Sequence, residues 1–178
     1  MIIISLAMCL CGCTKKNQEG QLSKIYKVPQ KLIYINAPST YEETQNGYSK
    51  IYFVKNKKYI AITAEKSMEA TELTKAQDIV FSKIKEFTYI NNLEIEQEKT
   101  EKINEIEMYR YEGKLICGRT VKASAYVVGY TFIIDKIPCN ITGVVTEKEQ
   151  NEESIQEIKS LVDEMARTVR NTKDNIMD

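Results

Sequence analysis

The chain has 178 residues, with 25 Lys and Arg against 25 Asp and Glu. That balance leaves no net charge to recruit nucleic acid. The absence of histidine excludes a Ser-His-Asp triad, a Cys-His dyad and every histidine-containing zinc site.

The chain opens on an apolar run, Ile2 to Leu10, followed by Cys11-Gly12-Cys13, and charge begins at Lys15. The run suits a secretory h-region of about 7–15 residues and falls short of the roughly 20 needed to span a bilayer. Leu10-Cys11-Gly12-Cys13 resembles the bacterial lipobox, with Gly12 as the small residue before the cleaved bond. The resemblance implies a lipid on the Cys13 sulfur and cleavage before Cys13. Residues 1–12 then form a lipoprotein signal peptide, and 13–24 the lipidated cysteine and a polar tether. The expected location is the outer face of the cytoplasmic membrane, with the membrane itself as a partner through the lipid. A basic n-region is missing, which a start upstream of Met1 would supply. The competing reading is a buried N-terminal strand, since Ile2-Ile3-Ile4 has high β-propensity.

Residues 25–171, out of about 165 left after cleavage, are long enough for one domain with its own core. Ile25 to Ile35 is rich in Ile, Tyr and Val, and Pro29 splits it into two short edge pieces. Asn36-Ala37-Pro38-Ser39-Thr40 is a turn cluster. Tyr48–Val54 and Tyr59–Ala64 read as strands joined by a hairpin through Lys55-Asn56-Lys57-Lys58. The period then changes. Leu73, Ala76, Val80, Ile84 and Phe87 recur at spacings of three and four, which predicts an amphipathic helix over 71–87.

Leu93 to Lys102 alternates two apolar residues with acids, as an exposed edge strand does. Ile106–Cys117, Ala125–Ile134 and Cys139–Thr146 follow as three strands of a meander. In the middle one Tyr126, Val128, Tyr130, Phe132 and Ile134 form one apolar face. Glu152 to Arg170 reads as a second helix, capped by Asn151, with Glu152 and Glu153 in the first turn and Arg167 and Arg170 in the last. Its stripe is Ile155, Ile158, Val162, Met165 and Val169. Residues 172–178 form a polar tail.

Each helix has one apolar stripe, so the expected fold is α+β: a two-layer sandwich, an antiparallel sheet with both long helices on one face. The element order resembles the PsbP-like fold. So do Tyr126-Val127-Val128-Gly129-Tyr130-Thr131-Phe132 and Pro138-Cys139-Asn140-Ile141-Thr142-Gly143-Val144-Val145, which look like segments of uncharacterised bacterial lipoproteins of that kind. The resemblance covers most of the mature chain and implies a non-catalytic, partner-binding scaffold rather than an enzyme.

Four clusters bear on function. Lys55, Lys57 and Lys58 sit on one hairpin tip, and Lys114, Arg119 and Lys122 surround another loop; together they would offer contact with anionic phospholipid or an anionic envelope polymer. Short charge runs are more often plain solvated surface. Acids from Glu94 to Glu107 lack the Asp-x-Asp-x-Asp-Gly spacing that wraps calcium. Glu105 and Glu107, about 7 Å apart if they share a strand face, have the separation of paired carboxylates in glycoside hydrolysis and define the alternative of a histidine-free envelope enzyme. A third alternative is a purely structural envelope component. Tyr109, Tyr111, Tyr126 and Tyr130 lie on adjacent strands, where such a stripe is more often core than a ligand platform. No motif for a cofactor is present.

Cys117 and Cys139 are the cysteines left to the domain. The meander puts them at opposite ends of the middle strand, roughly 33 Å apart, against the 7 Å or so that a disulfide allows. Two free thiols are expected. A 117–139 bridge would demand another strand order.

Overall fold

The computed structural model describes residues 24–28, 33–46, 50–85, 90–118 and 123–171. Cys13 and the tether to residue 23, Pro29, Phe87, Arg119, Lys122 and the tail lie outside them. Among the described residues ten strands and two α-helices occur in the order β1 (Lys24–Val28), β2 (Ile33–Ala37), β3 (Glu42–Asn46), β4 (Lys50–Lys55), β5 (Lys58–Ala64), α1 (Leu73–Lys85), β6 (Ile90–Ile103), β7 (Ile106–Cys117), β8 (Ala123–Ile134), β9 (Ile137–Val145), α2 (Glu152–Arg167) and β10 (Arg170–Asn171). Strands β3-β4-β5-β9-β8-β7-β6 make one seven-stranded sheet, and β1-β2-β10 a small second one. Every described pairing is antiparallel.

The meander β7-β8-β9 is present. Three two-residue hairpin turns, β4 to β5, β6 to β7 and β8 to β9, each have both residues at positive φ: Asn56-Lys57, Asn104-Glu105 and Asp135-Lys136. Such turns match the right-handed twist of the strands they join. Asn or Asp leads each because its short polar side chain tolerates the left-handed region.

The expectation of two helices on one face is overturned. The even positions of β8 (Tyr126, Val128, Tyr130, Phe132, Ile134) pack in one core with Ile158, Leu161, Val162 and Met165 of α2. The odd positions Ala125 and Val127 pack in a second core with Leu73, Phe81 and Ile84 of α1. The helices therefore lie on opposite faces of a sheet-dominated fold. The reason is visible in β8, which is buried almost continuously from Ala125 to Phe132. A strand apolar on both faces needs a cover on each; attention to the stronger face alone hides the second.

Three smaller differences have local causes. Strand β3, Glu-Glu-Thr-Gln-Asn, has no apolar alternation to announce it and forms by pairing with β4. α2 stops at Arg167, because Arg170 and Asn171 leave the helix to pair with Tyr34 and Ile33. Glu105 is a turn residue, so it does not share a strand face with Glu107. The Asn151 cap is present: its side-chain oxygen accepts from the Ser154 amide at 2.8 Å.

Gly143 sets the approach of α2. A Cβ there would lie 2.7 Å from both Ile158 Cγ1 and Val162 Cγ2, so only glycine lets the helix sit down on β9.

Candidate functional site

α1 covers only part of its face of the sheet. It is anchored by Phe81, whose ring meets Tyr111 edge-on at 5.1 Å and Tyr109 at 6.2 Å between centroids. Both tyrosines are on β7, and the helix lies across β6, β7, β8 and part of β9. Beside it the same face of β5 and β4, with the uncovered part of β9, is left open as a groove of about 700 Å³. Its walls include Tyr52, Tyr59, Ala61, Val80, Ile84 and Val144. Tyr59 is 43% exposed, unusual for a large apolar side chain here.

The groove has a polar floor. Tyr111 is fully buried, and its hydroxyl lies 3.2 Å from Asn140 Oδ1 and 2.9 Å from Thr142 Oγ1. Asn140 Nδ2 donates to Thr142 Oγ1, and Thr131 Oγ1 donates to Asn140 Oδ1 at 3.2 Å. With Thr142 donating to Tyr111, and Tyr111 to Asn140, the three side chains close a ring that satisfies each donor, as buried polar groups require. Burial pushes the Tyr111 phenol up to about 12, so it stays a donor at neutral pH. Gly129 makes room for it: a Cβ there would lie 2.4 Å from the Tyr111 hydroxyl. Thr146 Oγ1, also on the groove wall, is buried without a hydrogen-bond partner among the described residues.

At one end the groove is bordered by Lys50, Thr63 and Glu65; at the other by Leu115, Cys117 and Ile90. Tyr52 sits near the first end, where burial and then the Glu65 carboxylate hold its phenol above the usual range.

The opposite face is closed by ion pairs on both flanks of α2. On one flank Glu157 accepts from Lys58 and from the Tyr41 hydroxyl, with Lys55 at 3.8 Å. On the other, Arg110 Nε donates to Asp163 at 2.9 Å, and Glu112 is held by Arg110 at 3.3 Å and Lys159 at 2.9 Å. Tyr130 donates to Asp163 at 2.9 Å and lies 3.0 Å from Glu101. Burial opposes the charge on Arg110, but Asp163 more than offsets it and raises the guanidinium further. Burial alone would raise Glu112; hydrogen bonds from Lys159 and Arg110 hold it below its ordinary value.

Comparison with known proteins finds no matching family model and no matching curated protein. Among solved structures the chain is similar to the Ran-binding protein Mog1p of Saccharomyces cerevisiae. The TM-score is 0.64 at 10% identity, covering 85% of this chain and 96% of that one. It is similar also to cyanobacterial PsbP (CyanoP) from Synechocystis, with TM-score 0.56 at 10% identity over 85% and 93% of the two chains. A Bacteroides thetaiotaomicron protein gives 0.51 at 12% identity, covering 84% of this chain and 48% of that one.

The domain has a Mog1/PsbP-like fold.

Within this Mog1/PsbP-like domain the residues singled out from sequence separate. Lys58 is buried against Glu157, Lys55 lies beside the same carboxylate, and Lys114 pairs with Glu96 at 2.5 Å. Lys57 is exposed on its turn. Lys58, Val145, Tyr126 and Lys114 fall in one row across β5, β9, β8 and β7, so the hairpin tip and the Lys114 strand share an end of the sheet. Glu105 pairs with Lys102 at 2.5 Å, and that hydrogen bond lowers its carboxyl from the ordinary value, opposite to what a general acid needs. Glu105 and Glu107 border a smaller depression of about 390 Å³ with Asp135. Among the described residues there is no metal-holding group of three or more His, Cys, Asp or Glu, and no helix long and apolar enough to cross a membrane.

Of the four tyrosines, Tyr109 and Tyr111 support α1, while Tyr126 and Tyr130 pack in the α2 core. Cys117 pairs with Ala123 and Cys139 with Phe132, at opposite ends of β8, and both thiols are free. Asn140 and Thr142 are buried in the Tyr111 network. Val80 was legible only as part of a helix stripe, and Tyr52, Ala61 and Val144 only as strand residues; that they line one groove comes from β9, distant in the chain, pairing with the β4–β5 hairpin. Tyr59 was the one available hint, an aromatic at a strand start beside lysines.

Proposed function

We propose that the chain is a lipid-anchored, extracytoplasmic binding module that works without catalysis and takes its ligand in the groove beside α1. The groove carries the reading. A mostly apolar concavity of about 700 Å³ with a few converging polar groups has the size and lining of small-molecule sites, about 300–1,000 Å³. The lipobox-like Leu10-Cys11-Gly12-Cys13 supports anchorage through Cys13. The yeast protein of the same fold is Ran-binding, which supports reading the fold as a scaffold for partners. The end of the sheet that carries the exposed Lys57, with Lys55 and Lys114, would then face the anionic membrane or an envelope polymer.

Two measurements test this. Metabolic labelling with an alkyne fatty acid should mark the chain and be lost in Cys13→Ser; label persisting in that variant would defeat the anchor. A pull-down from solubilised membranes should enrich a partner or envelope component over an unrelated lipoprotein, and Ala61→Trp, which fills the groove, should abolish that enrichment. Equal capture by the filled variant would mean the groove is not the binding surface.

A further inference from the structure

The dimensions and lining of the groove narrow its occupant. Lys50 is in register with Thr63, Asn140, Thr131 and Tyr109, and Cys117 lies further along the same strand as Tyr109. At strand spacings of about 4.8 Å and a rise of about 3.3 Å per residue, the groove from Lys50 to Cys117 runs on the order of 30 Å. A volume of about 700 Å³ spread over that length makes the groove long and narrow. A helix, about 10–12 Å across with its side chains, is too wide. An extended peptide would bring backbone N–H and C=O groups that need partners, and the strands below it already spend theirs on each other. A hydrocarbon chain makes no such demand.

The two ends differ. Leu115, Ile90, Ile84 and Val144 make one end mostly apolar, with Lys83 on its rim and the Thr146 hydroxyl on its wall; Lys50, Glu65 and Thr63 make the other polar with one charge of each sign. A carboxylate placed there meets Glu65, and an ammonium meets Lys50. A neutral hydroxylated head can donate to Glu65 and accept from Lys50 and Thr63. We propose that the groove binds a single-chain amphiphile of the monoacylglycerol class, its hydroxyl head between Lys50 and Glu65 and its acyl chain running toward Leu115 and Cys117. This rests on the groove being the module's binding surface.

The half-buried thiol of Cys117 at the tail end is a built-in reporter, and fully buried Cys139, whose thiol burial pushes up to about 12, is an internal check on folding. The full chain is titrated with 1-monomyristoylglycerol below its aggregation concentration. Iodoacetamide labelling is followed by mass spectrometry on the separate Cys117 and Cys139 peptides. Saturable slowing at Cys117, about fivefold or more, is expected, with myristate needing roughly tenfold higher concentration. Ala61→Trp and Val144→Trp should remove the protection while Cys139 stays unreactive. No saturable slowing in the parent chain, protection surviving in folded filled variants, or equal protection by myristate would each overturn the proposal. If monoacylglycerol fails but Ala61→Trp still abolishes partner capture, only the ligand class falls; if capture is also indifferent to Ala61→Trp, the groove reading falls with it.

Discussion

The two faces of the sheet are built to different standards. Under α2 the core is large and closed. Ile158, Leu161, Val162, Met165 and Ala166 are buried essentially completely, Gly143 brings the helix close, and carboxylates and cations seal both flanks. Under α1 the core is small, only Ala76 and Val80 of the helix are fully buried, and part of the face stays open. The same sheet therefore has one closed face and one partly open face. A groove needs rigid walls, and here they are supplied from behind: β5 and β9, which floor it, are pinned by α2 on their reverse side.

The widest expected gap lies in core truncation. Met165→Ala should cost about 2–5 kcal/mol, the range for deleting a large buried side chain, read as a drop in the urea midpoint. Val80→Ala under α1 should cost less, nearer the low end of small deletions in a core that can relax toward the groove, about 1 kcal/mol. Equal losses would erase the distinction between the faces.

Next in size is Tyr111→Phe. It removes the hydroxyl that closes the ring with Asn140 and Thr142 and should cost about 1–3 kcal/mol by leaving buried polar atoms short of a partner. A loss below a few tenths would mean that Asn140 and Thr142 satisfy each other without it.

The seal beside α2 should show in acid. Glu112 is held below its ordinary value, so its contribution is present in full above the unfolded-state value of about 4.3 and is lost as pH falls through the lower folded-state one. Glu112→Gln should destabilise the chain at pH 7 and flatten the fall in stability below about pH 4. An unchanged acid limb would remove Glu112 from the seal.

The smallest effect belongs to the open face. Tyr59→Ser should leave stability within about 0.5 kcal/mol, as for an exposed position, because Tyr59 lines the groove rather than the core. A loss near 2 kcal/mol would make the groove wall part of the core after all.

Much of this molecule could be read from its residues. Periodicity announced both helices, the edge strand β6 and the meander, and Asn151 was legible as a cap because capping chemistry is local. The register that separates Cys117 from Cys139 followed from the meander alone. β3 was invisible, since a polar edge strand is defined by its partner and not by its own pattern. Glu105 and Glu107 looked like a pair only on the assumption of a continuous strand, which the two-residue turn at Asn104-Glu105 interrupts.

What the sequence by itself determined is therefore local: element type, order, caps, turns and the apolar stripe of each helix, all set by neighbours within a few residues. Tertiary structure alone decided which face of the sheet each helix took, because one apolar stripe fits either face equally well. It also decided the groove. That site exists because β9, with Val144, comes from far along the chain to pair with the β4–β5 hairpin that carries Tyr52 and Ala61, and because α1, held by Phe81 on Tyr109 and Tyr111, stops short of that hairpin.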